Sequence, residues 1–190
     1  MDDMNRQVTA PIRGGTASLR PLRAGETAPL EAVFSGLSPA SRLDRYLTGI
    51  ARLTPTMVAA LTALDGHNHA AWLASVDGAP AGIARFVRTA PDTAEVALEV
   101  VDRHQGRGLG GVLLDVVTTL AASSGVRRVE ATVGPGNDAS RRLVATIGVL
   151  LRPDGAALSG VGPLRLLDPP RVDRAAVLCT SLATRQAGAA

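Results

Sequence analysis

"VDRHQGRGLGGVLLDVV", residues 101–117, sets four glycines, Gly106, Gly108, Gly110 and Gly111, between an apolar run and a second run that reads as a helix. Val112, Leu113, Val116, Val117 and Leu120 recur at helical spacing, and Gly125 closes the element. Upstream, "AEVALEVV" (94–101) reads as a strand, and downstream "VRRVEATV" (126–133) reads as another. Strand, glycine turn, helix and strand make one crossover unit, so the two strands are expected to lie parallel.

Outward from this unit the chain has a different rhythm. "AAWLASV", the turn "DGAP" and "AGIARFVR" (70–88) predict an antiparallel hairpin, with Trp72 and Phe86 in the core, and "TAPDT" a loop. Before the hairpin come helix signals. An apolar face at Leu30, Val33 and Phe34 stops at Gly36; Ser38 and Pro39 open a helix with Leu43, Tyr46 and Leu47 on one side; Thr54-Pro55 opens a third, ended by Asp65-Gly66. "ASLRPL" (17–22) predicts a first strand. After residue 133, Asn137 is placed to cap the helix "DASRRLVATIG", and "VLLRPDG" to "LRLLD" is a last hairpin. Strands and helices do not alternate throughout, so the class is α+β rather than a doubly wound sheet. Residues 1–15 lack periodicity and are expected to be a disordered tail, residues 16–168 the domain, and residues 169–190 a C-terminal extension beginning at Pro169-Pro170.

Composition narrows the chemistry. The chain has 190 residues, a net charge of +3 and no lysine, which removes a Walker-A loop and Schiff-base catalysis by inventory. Aromatics at 2% leave no stacking platforms for nucleic acid. No apolar stretch approaches the roughly 20 residues needed to span a bilayer, and the start "MDDMNRQVTAPIRGG" is acidic and polar, so neither membrane nor signal peptide is expected, and the location expected is cytoplasmic. A single cysteine, Cys179, excludes an internal disulfide. His67 and His69 have a metal-like spacing without further ligands, so no metal is expected.

Gly106, Gly108 and Gly111 spell G-x-G-x-x-G, the dinucleotide fingerprint, while Gln105, Gly108 and Gly110 spell Q-x-x-G-x-G. Four polar residues separate Val101 from Gly106, where a dinucleotide fold places its first glycine almost at once, and Glu130, at the ribose-acid distance, lies inside a strand. The second pattern fits its context. "VVDRHQGRGLGGVLL" resembles the pyrophosphate-binding segment of the GNAT superfamily of acyl-CoA N-acyltransferases, and the resemblance runs from about Ser18 to about Leu167. "LSPASRLDRYL", with "DTAEVALEVVDRHQGRGLG" and "GNDASRRLVATIGV", is similar to the acetyltransferase domain of bacterial protein-lysine acetyltransferases.

The resemblance implies a mixed, mostly antiparallel sheet with one parallel pair that splays at the acyl-CoA site, helices on both faces, and acetyl-CoA as cosubstrate. A diphosphate needs several donors at once, and backbone N–H groups at a helix N-terminus supply them. The segment from Gln105 through Gly106, Arg107, Gly108, Leu109 and Gly110 to Gly111 is the implied cradle, with Arg107 adding charge; the backbone of Val100, Val101 and Asp102 is implied to hold the pantetheine arm. His104, beside the loop, is a surface residue or a phosphate contact.

Acetyl transfer to an amine also needs a proton acceptor, since an alkyl ammonium with a pKa near 10.4 must be deprotonated first. Glu95 matches the family's base position; Glu99 is on the same face four residues on, and Glu95 is preferred. Asn137 is either a helix cap alone or a cofactor contact as well. Where many relatives carry a tyrosine to protonate the thiolate, this chain has Val144; Ser140, a water, or unassisted departure remain, and the lone tyrosine, Tyr46, is far away in sequence. The expected activity is acetyl-CoA-dependent N-acetylation of a primary amine, a protein lysine included, by a monomer or homodimer. The alternatives are a non-catalytic acyl-CoA-binding regulatory domain and a small-molecule amine acetyltransferase.

Overall fold

A computed structural model describes residues 8–188. Its sheet orders the strands β1 (Val8–Ile12), β2 (Gly15–Pro21), β3 (His69–Val76), β4 (Ala79–Ala90), β5 (Thr93–Val100), β6 (Arg128–Val133), β8 (Ala157–Pro163) and β7 (Leu150–Asp154). Helices α1 (Ala28–Ser35), α2 (Pro39–Tyr46) and α3 (Pro55–Thr62) separate β2 from β3; α4 (Leu109–Ser123) joins β5 to β6; α5 (Asp138–Thr146) and α6 (Arg174–Gly188) follow. All neighbouring strands are antiparallel except β5 and β6, so the class is α+β with one parallel pair, as expected.

That parallel pairing is short. Thr93, Ala94 and Glu95 face Arg128, Val129 and Glu130, and there the register ends. Beyond it β5 keeps its other partner, up to Val100 opposite Gly82 on β4, while β6 keeps β8, up to Val133 opposite Leu158. Each strand is held on its outer side and released on its inner side, which opens a wedge in the middle of the sheet.

Alternation in the strands sends side chains to two cores. On one face Leu19, Trp72, Phe86 and Val96 pack with Leu113, Val116 and Val117 of α4 and Val177 of α6; on the other, Leu73, Ile83 and Val101 pack with Leu30 and Val33 of α1. Trp72 and Phe86 are fully buried, where the hairpin pattern put them.

Both ends of the expected domain need correction. Residues 8–12, assigned to the tail, form β1 in register with β2, with Val8 and Ala10 buried; residues 1–7 lie outside the described residues. Pro11 and Gly14-Gly15 masked the strand, and a proline is tolerated because β1 is the sheet edge. The segment after Pro170 is equally integral. Asp115, on α4 and without solvent exposure, accepts from the N–H groups of Arg171 (2.6 Å) and Val172 (3.2 Å) and from Nε and Nη2 of Arg174 (2.9 and 2.6 Å).

Smaller departures have local causes. The last hairpin turns at Gly155 (φ 60°), so its second strand precedes "LRLLD". Gly160 and Gly162 gave β8 no apolar alternation, yet at Gly162 a Cβ would collide with the Gly148 carbonyl, so only glycine lets the strands approach. The apolar side expected of α2 is not in a core: Leu43 and Leu47 are exposed and only Tyr46 turns inward.

Asp115→Ala should cost about 3–5 kcal/mol in a denaturant titration, since it leaves two backbone donors without their acceptor and the Arg174 guanidinium with the Leu167 carbonyl but no counter-charge. A loss under about 1 kcal/mol, the worth of an exposed pair, would show that α6 is not locked through this carboxylate.

Candidate active site

The wedge between β5 and β6 is a cavity of about 480 Å³, within the size range of small-molecule sites. Val96 to Val100 make one wall and Ala131 to Val133 the other; the glycine loop closes one end, α5 one side, and α2 lies across the top with Ser41, Asp44 and Arg45.

The glycine loop takes its form from two residues with positive φ, Gly106 (70°) and Gly108 (90°), which other residues adopt only at a cost. Gly108 is the N-cap of α4, and its carbonyl receives the first helical bonds, from Gly111 (3.1 Å) and Val112 (3.2 Å). The N–H groups before these have no partner within the helix and sit at the positive end of its dipole. A Cβ at Gly106 or Gly108 would meet no protein atom within 4 Å, so the space over the loop is free for a ligand. Gly106, Gly108, Gly110 and Gly111 all border the cavity, whereas the Leu109 side chain is buried in the core.

Not every residue of the implied cradle, or of the segment implied to hold the pantetheine arm, faces the cavity. Of Val100, Val101 and Asp102, only Val100 lines it. Val101 has its N–H on the Ala81 carbonyl (2.9 Å) and its side chain against Gly36, and the Asp102 N–H is on the Gly36 carbonyl (3.2 Å). The free wall is therefore shifted N-terminally to Val96–Val100. Gln105 does line the cavity, but its amide turns inward: Nε2 is 3.0 Å from the Val100 carbonyl, 3.2 Å from Asp102 Oδ1 and 3.2 Å from Ser41 Oγ, two of which its two hydrogens can serve at once. Arg107 points away, towards the turn between β1 and β2.

The two glutamates separate clearly. Glu95 is exposed, opposite Glu130, in a shallow groove on the sheet that also holds Arg152 and Asp154. Glu99 borders the cavity and is 4% exposed. The Tyr46 hydroxyl donates to its Oε2 at 2.9 Å, Arg45 Nε lies 3.4 Å from the same oxygen, and Arg85 Nη2 lies 3.8 Å from Oε1, which has no hydrogen-bond partner. Both residues share a face of β5, but Glu95 stands where β5 is still paired with β6 and Glu99 where the strands have parted. Of the two, Glu99 and not the preferred Glu95 borders the cavity.

Tyr46 is the residue that sequence reasoning missed. It sits at the end of α2, which Ser38 caps by accepting from the Ser41 N–H (3.2 Å), and its ring meets Phe34 edge-on at 5.8 Å, with the Arg42 guanidinium over the other aromatic at 4.3 Å. The available signal was that α2 has no core of its own: an aromatic among polar residues on such a helix has to be buried by something else. Burial, and then the Glu99 carboxylate, raises the Tyr46 phenol above its usual value, so it stays a donor at neutral pH.

On α5, Asn137 Oδ1 caps the helix by accepting from the Ser140 N–H (2.9 Å), and both residues also border the cavity. Val144 lines it too, a surface with no proton to give. His104 is buried rather than exposed, with Nε2 3.0 Å from Arg103 Nε and Nδ1 3.0 Å from Arg107 Nη1. A neutral imidazole has one acceptor nitrogen, so only one of these contacts is a hydrogen bond. Among the described residues no group of three metal-ligating side chains forms, and the Asp65 carboxylate ties the 67–69 loop through three backbone N–H groups. No helix among them is long and apolar enough to cross a membrane.

This combination of a parted parallel pair, a glycine-capped helix and a carboxylate in the gap defines an acyl-CoA-type transferase site. Residues 41–148 match the acetyltransferase (GNAT) family, and the chain belongs to it. It is 30% identical over 135 residues to an acetyltransferase of Pseudomonas aeruginosa, covering 68% of this chain and 73% of that one. It is 32% identical over 139 residues to the acetyltransferase Pat of Mycolicibacterium smegmatis, covering 70% of this chain but spanning only 40% of that relative's length. Among solved structures, the GNAT domain of S. lividans PAT superposes with a TM-score of 0.76 at 28% identity, over 83% of this chain and 97% of that one. An acetyltransferase fold from Salmonella typhimurium solved with acetyl-CoA superposes with a TM-score of 0.63 at 19% identity, over 81% and 97% of the two chains.

Burial, with the charges of Arg103 and Arg107 adding to it, lowers His104 below its ordinary 6.5. Its ring should titrate below that value when followed by NMR in the ligand-free protein. The unfolded chain then binds the extra proton first, so this group removes stability as the pH falls through 6.5. A midpoint at or above 6.5 would contradict its placement between two guanidiniums.

Proposed function

We propose that this N-acetyltransferase moves an acetyl group from acetyl-CoA to a primary amine by direct attack on the thioester, with Glu99 receiving the amine's proton. The observation that carries the reading is the wedge itself. One end presents unpaired N–H groups at the start of α4, and the middle presents a buried carboxylate oxygen without a hydrogen-bond partner.

Within it each residue has a separate task. The N–H groups from Gly106 to Gly110 bind the diphosphate, and the inner edge of Val96–Val100, released from β6, offers backbone groups to the amides of the arm. Tyr46 holds one oxygen of Glu99, leaving the other to take a proton from the ammonium, directly or through a water. Arg45 and Arg85 compensate the carboxylate's charge in its buried position. Asn137 and Ser140 supply an amide and a hydroxyl on the wall opposite β5, and Ser140 is the hydroxyl placed to meet a departing thiolate. A thiol pKa near 8.5 makes that departure tolerable with modest help.

We assign the acceptor to the class of lysine side chains, supported by the similarity of the α2 and glycine-loop sequences to protein-lysine acetyltransferases, and we place the protein in the cytoplasm as a monomer or homodimer. A second reading, acyl-CoA binding without transfer, has one observation in its favour, the apolar Val144 where many relatives carry an acid.

Calorimetry with acetyl-CoA tests the binding step, and the absence of heat up to millimolar ligand would refute it. In an amine and peptide screen read by free-thiol release, Glu99→Gln should keep CoA binding and slow turnover about 100-fold, while Glu95→Gln stays within about twofold of the parent. The opposite order would return the role to Glu95. CoA binding without thiol release on any lysine peptide or small amine would favour the regulatory reading.

A further inference from the structure

Arg107 sits between the two positive-φ glycines at the crest of the loop, the position from which a side chain would most easily reach a phosphate, yet it does not border the cavity. Its guanidinium turns the other way. Nε donates to the Arg13 carbonyl and Nη2 to the Gly14 carbonyl, each at 2.8 Å, while Nη1 lies 3.0 Å from His104 Nδ1. The contact is returned by the backbone, because the Arg13 N–H donates to the Arg107 carbonyl at 2.9 Å. The turn between β1 and β2 is thus bonded both to the side chain and to the main chain of one residue, 93 and 94 positions away in sequence.

We propose that Arg107 is a positioning residue: it clamps the β1–β2 hairpin onto the glycine loop and thereby holds the loop's N–H groups in the arrangement that a diphosphate requires. The reasoning is one of preorganisation. Two glycines with positive φ give the loop its shape but also the largest backbone freedom of any residues, and the side chains that hold it elsewhere, Gln105 on the β5 side and Leu109 in the core, flank the two glycines and do not lie between them. A planar fork spanning two successive carbonyls supplies that restraint with fixed geometry. The turn it grips closes the edge hairpin, and Gly14 (φ 73°) and Gly15 (φ 154°) allow the turn to present both carbonyls. Edge hairpin and cosubstrate loop become one mechanical unit. This inference rests on the diphosphate role given to the loop above.

The test compares acetyl-CoA with S-acetyl-pantetheine, which carries the thioester and the arm but no diphosphate. Arg107→Ala should weaken CoA binding in calorimetry by about tenfold and raise KM for acetyl-CoA with kcat at saturation little altered, because a misplaced cradle costs binding that the reacting atoms do not feel. The loss in kcat/KM with acetyl-CoA should exceed that with S-acetyl-pantetheine by about the same factor of ten. A merely structural role would lower both donors alike, and equal losses would overturn the proposal. Arg107→Lys decides between a clamp and a direct charge contact, since an ammonium keeps the charge but cannot span two carbonyls. It should bind CoA about as weakly as the alanine variant, and retention of more than half the parent affinity would also overturn the proposal. Thermal unfolding accompanies each variant, and if Arg107→Ala does not unfold cooperatively, the lysine variant carries both comparisons. Failure of the parent protein to bind CoA would instead refute the function proposed for the site, a result separable from any behaviour of Arg107.

Discussion

The site depends on one constraint: β5 and β6 are paired over three residues and no further. A parallel pair can be parted in the interior of a sheet only if each strand is held on its other side, and here β4 and β8 do so. The consequence is a slot walled by backbone that is released from strand pairing on its inner edge, where the Val100 carbonyl accepts from the Gln105 amide. Backbone groups are costly to leave unpaired in a dry interior, which makes the gap a place for a polar, extended ligand rather than a packing defect. The same parting separates two glutamates four residues apart on one strand face, leaving Glu95 where the sheet is still closed and Glu99 in the opening.

Glu99 is then stabilised by residues from elements that are not its neighbours in sequence. Arg85 comes from β4, and Tyr46 and Arg45 from α2, a helix with no fully buried side chain of its own. The cluster has two cations and one carboxylate, and one carboxylate oxygen without a hydrogen-bond partner. An incompletely satisfied polar cluster is expensive for stability, and it is found beside the cavity, where chemistry gives a use for it. α2 is thus held over the slot more by Tyr46 and its polar side chains than by a core.

The helix that begins at the glycines is anchored along its length. Its apolar face fills one core, and Asp115 binds the C-terminal segment through two backbone donors and one guanidinium. At its start the loop is gripped by the N-terminal hairpin. Both termini of the described chain therefore brace the element whose N–H groups face the cavity.

The crossover unit, the hairpin before it, the capped helices and the glycine loop were all legible in the sequence, because their signals are local: periodicity, caps and turn residues act over a few positions. The glycines announced an irregular turn into a helix, and Asn137 announced a helix start. What the chain alone did not reveal were relations between distant segments. β1 looked unstructured because Pro11 and two glycines hide an edge strand; α6 looked like an appendage because its anchor is an aspartate on another helix. Which glutamate borders the cavity depended on where two strands part, and that Tyr46 reaches Glu99 while Arg107 turns away from the cavity depended on elements folded against them from far along the chain. The amino-acid sequence by itself determined the elements and the glycine loop; only the tertiary structure decided which side chains face the gap, because burial and register are properties of pairs of segments and not of either one.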